Sequence, residues 1–320
     1  MYDAVAVGEL LIDLTSIGTN DDGYPTLSAH PGGAPVNYLA AMSKLGYETA
    51  FIGKVGADLF GDLLIKTLRS IGIDTAGIVR SEDHFTTLAF VTLDENGNRD
   101  FSFARKHGAD IMLEHSEIDM SIVKGSKVLH FGTLSLTDEP ARTATRELIT
   151  MAKEEGLLIS FDPNLRKPLW PTLEQAREQI LFGLASSDVI KISDEEIDFL
   201  WGLPPEAGAR KILDEFEAKL VFVTCGPHGA FYANRYSVGH VPGPKGLKVI
   251  DTTGAGDIFG GSAMGCMLRT GKAPDELDDT ELRAITTYAC AAASLSTTLP
   301  GALLSIPEEA QVSEFISCSV

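Results

Sequence analysis

Short apolar runs alternate with helix-patterned runs along almost the whole chain, and that rhythm limits the folds open to it. Strand candidates lie at 4–14, 49–53, 127–131, 157–161, 188–192 and 220–224. Between them lie helix candidates at 34–45, 58–71, 139–155 and 173–184. Pro35 stands early in the first of these helices, and Gly46 and Gly72 stand just past the ends of the first two, the usual start and stop signals. Uniformly apolar strands separated by helices predict βαβ units and a mostly parallel sheet covered on both faces. With 320 residues, 44% of them hydrophobic, the chain has enough core for one large α/β domain.

Two segments break the rhythm. Residues 86–94 and 99–105 alternate apolar and polar side chains around Glu95-Asn96-Gly97-Asn98, a hairpin signal. Residues 16–30 are polar and rich in Gly, Asn and Asp, which reads as an exposed excursion. Together they predict a small β-rich flap, about 14–31 and 86–110, set on a single body spanning 1–320.

A net charge of −19 repels nucleic acid and anionic membranes, so neither is an expected partner. The N-terminus lacks a basic stretch followed by an apolar run, and no apolar run approaches a membrane span of about 20 residues; the expected location is the cytoplasm. None of the four cysteines forms a CxxC pair, which predicts buried thiols. No two of the seven histidines stand at metal-binding spacing.

Chemistry concentrates in four runs. In Asp251-Thr252-Thr253-Gly254-Ala255-Gly256-Asp257, a glycine-rich turn enters an apolar helix with a carboxylate in its first turn. Backbone N–H groups of Gly254, Ala255 and Gly256 could approach an anion there, aided by the helix dipole. Asp257 would stand beside that anion as a base, an arrangement suited to phosphoryl transfer onto a hydroxyl. Pro31-Gly32-Gly33-Ala34-Pro35-Val36-Asn37 brings backbone close to a helix start, with an amide suited to sugar hydroxyls. Asp13 falls at the carboxyl end of the first strand, where open α/β sheets bind ligands. Asp162-Pro163-Asn164-Leu165-Arg166 places a carboxylate, an amide and a guanidinium at another strand end. Each run alone is also ordinary turn and capping chemistry.

The runs Gly32-Gly33-Ala34-Pro35-Val36-Asn37, Gly53-Lys54-Val55-Gly56-Ala57-Asp58 with Gly61, Asp162-Pro163-Asn164, and 251–257 occur in that order. The pattern resembles the PfkB (ribokinase-like) carbohydrate kinases over nearly the whole chain. Residues 8–13 and Phe103-Ala104-Arg105 with Ala109-Asp110 look most like fructokinases. The resemblance implies a ribokinase-like three-layer sandwich with a small β-rich lid, and ATP-dependent phosphorylation of a sugar primary hydroxyl. Fructose is the expected acceptor, with 2-keto-3-deoxygluconate or ribose as alternatives.

Position by position, it implies Asp257 as base and Gly254, Ala255 and Gly256 as anion hole. Asp13, Gly32, Gly33 and Asn37 would hold the sugar, with Arg105 from the flap and Arg166 on substrate or phosphate oxygens. Lys191, Thr224, Gly226 and Gly229 would lie along ATP. Glu196 would hold magnesium through waters, and Asp251 and Thr253 would contribute to a monovalent-cation site, as in potassium-activated relatives. Ser193 replaces the asparagine usual in the family's Asn-x-x-Glu; helix capping by Ser193 or Asp194 is the plainer account of it. A nucleoside kinase would want an aromatic surface, for which Tyr24, Phe101 and Phe103 are candidates without decisive placement. A non-catalytic sugar sensor would be expected to lose the base or the anion hole, and both are present. Exposed flap edges suggest a homodimer paired through the lid.

Overall fold

The computed structural model describes residues 1–93 and 99–319. In chain order the elements are β1 (Ala4–Val7), β2 (Leu11–Thr19), β3 (Pro25–Gly32), α1 (Ala34–Lys44), β4 (Thr49–Gly56), α2 (Leu59–Ser70) and β5 (Ile73–Ser81). Then come β6 (Leu88–Leu93), β7 (Arg99–Ala104), β8 (Val128–Gly132), α3 (Ala141–Glu154), β9 (Leu158–Asp162), α4 (Leu173–Ser186) and β10 (Val189–Ser193). The chain ends with α5 (Asp194–Trp201), α6 (Pro205–Glu215), β11 (Leu220–Thr224), β12 (Ala230–Asn234), β13 (Val238–Val241), α7 (Ala255–Thr270), α8 (Asp279–Ser296) and α9 (Glu309–Ser319).

Nine strands form the large sheet in the order β13-β12-β11-β10-β9-β8-β1-β4-β5. From β5 to β11 every pairing is parallel, and β12 pairs antiparallel with both β11 and β13. Alternation within each strand feeds two cores. Ala4 and Ala6 of β1 join Leu220 and Phe222 of β11 in the core under α1, α2, α7 and α8. Val5 and Val7 join Val221 and Val223 in the core under α3, α4, α5 and α6. A sheet buried on both faces explains why its strands read as unbroken apolar runs.

The first expected strand, 4–14, is two strands. Gly8, in extended backbone with Pro35 against it, turns the chain at Gly8–Leu10 into β2, the first strand of a second sheet ordered β3-β2-β6-β7. Residues 16–30, expected as an exposed excursion in the β-rich flap, are mostly the β2–β3 hairpin. This sheet is not purely antiparallel, because β2 runs parallel to β6. β6 and β7 pair from Leu88–Ala104 to Leu93–Arg99; the turn expected at 95–98 lies outside the described residues. Among the described residues no helix is long and apolar enough to cross a membrane. All four cysteines are free; Cys225 and Cys290 are buried as expected, whereas Cys318 is exposed.

Candidate active site

Strand order reverses at β1, which has β4 on one side and β8 on the other. Such a switch point opens a crevice at the carboxyl ends of the strands. Asp162, Ser193 and Thr224 are the last residues of β9, β10 and β11, and Glu9 follows β1. Helix α7 starts over the same crevice. Its glycines let it pack hard on α1: a Cβ on Gly261 would lie 2.2 Å from the Tyr38 carbonyl oxygen. That close approach carries Asn37 of α1 to Asp257 of α7, and Asn37 Nδ2 donates to Asp257 Oδ2 at 2.9 Å. On the other side Asn164 Nδ2 donates to Oδ1 at 3.3 Å. Asn164 adopts a left-handed backbone conformation (φ 47°), which asparagine tolerates. Two amides therefore aim one buried carboxylate.

Burial raises the Asp257 pKa above the ordinary aspartate value, against the Asn37 hydrogen bond and the positive charges of Lys191 and Arg166. Lys191 Nζ lies 2.9 Å from Asp162 Oδ2. Burial alone would lower the Lys191 pKa, but Asp162, Glu196 and Asp257 outweigh it and hold the ammonium charged. A Cβ on Gly256 would stand 2.8 Å from Lys191 Nζ, so the glycine there leaves room for the ammonium beside the helix start.

The N-cap of α7 is Gly254 (φ 75°), with no side-chain cap. Ala255 N–H donates to the Thr252 carbonyl at 3.3 Å, a correction to its expected place in the anion hole. Among the described residues, the N–H groups of Gly254, Gly256 and Asp257 have no backbone acceptor outside the helix's own ladder. Asp251 braces the turn: Oδ1 accepts from Thr253 N–H at 2.7 Å and Oδ2 from Gly301 N–H at 3.0 Å.

Asp257 borders two clefts. The first, about 680 Å³, is lined by Glu9, Asp13, Gly33, Asn37, Phe103 and Leu134 among others. The second, about 480 Å³, is lined by Lys191, Glu196, Thr224, Gly226 and Gly256 among others. Asn164, Arg166, Thr252 and Gly254 are common to both. Asn37 lines the first cleft, and among the described residues its buried Oδ1 has no partner, an acceptor left to be satisfied. Gly32 is not part of the wall; a Cβ there would strike Asp13 Oδ2 at 2.4 Å, so it makes room for Asp13. Gly229 likewise lines neither cleft. Its absent side chain lets the 241–243 segment pass, with the Val241 carbonyl oxygen 2.0 Å from a would-be Cβ.

Arg105 is the main correction. It is 5% exposed and does not line the cleft of Asp13 and Asn37. Its guanidinium is engaged with Asp110, the Thr137 hydroxyl and the Leu134 carbonyl. Glu9, which the sequence placed only within the run 8–13, is a buried wall residue whose Oε1 accepts the Ala34 N–H at 2.8 Å. Burial pushes its carboxyl up to about 7.

Ser193 caps α5 from outside. Its hydroxyl accepts from Glu196 N–H while Glu196 Oε2 accepts from Ser193 N–H at 2.9 Å, the reciprocal capping box. Glu196 Oε1 accepts from Leu165 N–H at 2.8 Å. Both oxygens of Glu196 are thus oriented by backbone, which leaves each a lone pair for water and fits a magnesium ion held through its own waters. Among the described residues no cluster of three His, Cys, Asp or Glu could hold a metal directly.

The pfkB family carbohydrate kinase model matches residues 1–309. The chain belongs to this family. Fructokinase-1 of Zea mays is 41% identical over 316 residues, covering 98% of this chain and 97% of the relative. The pfkB kinase fold also matches a Xylella fastidiosa fructokinase with bound ATP at TM-score 0.89, with 29% identity and 99% of each chain covered. A Vibrio cholerae fructokinase, in its fructose-, ADP- and calcium-bound form, matches at TM-score 0.86 with 33% identity, covering 98% of this chain and 99% of that one.

Proposed function

We propose that this pfkB kinase transfers the terminal phosphoryl group of ATP to a primary hydroxyl of fructose, giving fructose 6-phosphate. One observation carries the reading: Asp257 stands on the border shared by two clefts, beside the uncapped start of α7. The sugar occupies the cleft of Asp13, Gly33 and Asn37, and Asn37 Oδ1 accepts one of its hydroxyls. ATP lies in the cleft of Thr224 and Gly226, its terminal phosphate toward Gly254 and Gly256.

Asp257 takes the proton of the attacking hydroxyl, and its raised pKa suits it to that task. As the phosphoryl group moves, the open N–H groups, Lys191 and Arg166 stabilise its charge. Glu196 would hold magnesium through waters, which would supply positive charge against the phosphates that this acidic protein otherwise repels. The turn braced by Asp251, with Thr253, is the place for a potassium ion. The small sheet acts as a lid that excludes water. Its edge strands are β3 and β7. Ile17, Tyr24 and Leu27 on its hairpin are exposed, which supports a homodimer formed through the lid.

The test is a coupled assay of ADP release with fructose, ribose, 2-keto-3-deoxygluconate and nucleosides in turn. Release with fructose well above the others is expected. Selective release with another acceptor would replace fructose, and no acceptor-dependent release would leave a sugar-binding protein without catalysis.

A further inference from the structure

The chain passes between the two sheets at 8–10, 33, 82–87 and 105–109. Each pair of crossings is tied by one buried carboxylate. Glu9 joins the first two by accepting the Ala34 N–H. Asp110, 4% exposed, joins the last two. Its Oδ1 meets the Thr87 hydroxyl at 2.5 Å, one residue before β6. Its Oδ2 accepts from Arg105 Nε at 2.8 Å and lies 2.7 Å from Nη2, one residue after β7.

Arg105 then reaches the Thr137 hydroxyl at 2.9 Å and the Leu134 carbonyl at 2.8 Å. Leu134, and Phe103 on β7, line the cleft assigned to the sugar. Next to Thr87, Thr86 N–H donates to Asp58 Oδ2 at 2.8 Å, fastening the same crossing to the large sheet's side. Gly108 closes the turn against this cluster, where a Cβ would stand 2.1 Å from Thr87 Oγ1. Desolvating a carboxylate and a guanidinium is costly, and apolar side chains would join two strands more cheaply. What the cluster adds is direction: Asp110 holds the Thr87 hydroxyl on Oδ1 and the planar guanidinium on Oδ2, and Thr137 and Leu134 hold that guanidinium from its other side.

Resting on the kinase reading above, we propose that Asp110 and Arg105 are positioning residues that set the angle of the small sheet over the sugar cleft. Neither lines the cleft of Asp13 and Asn37 or that of Thr224 and Gly226. Through Phe103 and Leu134 they control sugar affinity and the exclusion of water from the transfer site.

The test compares Asp110→Asn, Arg105→Lys and the milder Thr87→Val with the unaltered protein. The measurements are fructose KM, ATP KM, sugar-independent ADP release and amide hydrogen exchange along 88–91. Asp110→Asn is expected to raise fructose KM about tenfold with ATP KM within about twofold. It should also raise the ratio of sugar-independent to sugar-dependent ADP release, and speed exchange in β6 relative to β4. Arg105→Lys, which keeps charge but loses the fork, should fall between. Thr87→Val should shift fructose KM about twofold in the same direction and keeps the test open if Asp110→Asn does not fold. Equal changes in both KM values with an unaltered ADP ratio would overturn the proposal. So would normal behaviour of Asp110→Asn beside lost fructose binding in Arg105→Lys, which would make Arg105 a direct sugar ligand. If the unaltered protein turned over no sugar, the kinase reading would fail, while the exchange rates would still report on the clamp.

Discussion

Helices α2 and α7 both begin after a glycine-bearing run and both carry an aspartate at or just inside their start, yet one start is closed and the other open. At α2 the aspartate is the N-cap itself: Asp58 Oδ1 accepts the Gly61 N–H at 2.8 Å, and Oδ2 accepts the Thr86 N–H at 2.8 Å. Burial opposes ionisation of Asp58, but the Thr86 and Gly61 donors outweigh it and hold the carboxyl below the ordinary aspartate range. At α7 the N-cap is Gly254, and Asp257 sits inside the first turn. From there it faces two clefts and leaves the helix donors to an incoming anion. Moving a carboxylate from the cap into the first turn, with a bare cap before it, separates a structural terminus from a reactive one.

The contrast breaks most visibly at Asp257. Asp257→Ala should fold normally and lose on the order of 10²–10⁴-fold in kcat, read by coupled ADP release. Near-normal turnover would remove the base. Next in size is Gly254→Val. At φ 75° a Cβ would stand 2.6 Å from Ala302 Cβ and 3.1 Å from Asn37 Nδ2. Displacing those groups should cost on the order of 10²-fold in kcat, with ATP KM changed far less.

Asp58→Ala sharpens the comparison from the other side. Urea unfolding should show a loss of about 1–2 kcal/mol, while kcat per folded molecule stays within about twofold. A large kcat loss without destabilisation would mean that the α2 terminus is functional too.

The smallest effect concerns pH. Because burial raises Glu9 from 4.5 to about 7, the folded state holds its proton more tightly than the unfolded chain. The stability this supplies is full below about 4.5 and is lost as pH rises through about 7. Glu9→Gln should therefore flatten the fall in Tm across that window. An unchanged slope would place the titration elsewhere.

Much of this was legible in the sequence. The parallel strands 220–224 and 188–192 announce themselves because burial on both faces demands apolar side chains at most positions, Lys191 being an exception that faces the site. Asp257 could be singled out only because the run 251–257 follows three other matching runs in order; glycine–alanine–glycine before a helix is by itself ordinary turn chemistry. Less visible was the break at Gly8–Leu10, where apolar residues continue through a change of sheet. The β2–β3 hairpin was legible only as part of a β-rich flap, without strand bounds, because much of it faces solvent and carries polar residues. Arg105 misled for a different reason. A guanidinium next to a binding cleft suits a ligand as well as it suits a carboxylate, and its choice depends on Asp110, Thr137 and Leu134 meeting it in space. The spacing of Arg105 and Asp110 across Gly108 was the available signal for that pair.

The most direct test is to follow backbone amide shifts of isotope-labelled protein on adding fructose, ADP, magnesium and fluoroaluminate, a planar mimic of the moving phosphoryl group. The amides of Gly254, Gly256 and Asp257 should move strongly, and that of Gly61 should stay in place. Saturation with these ligands that left the α7 amides unmoved would contradict the assignment of this helix start as the transfer site.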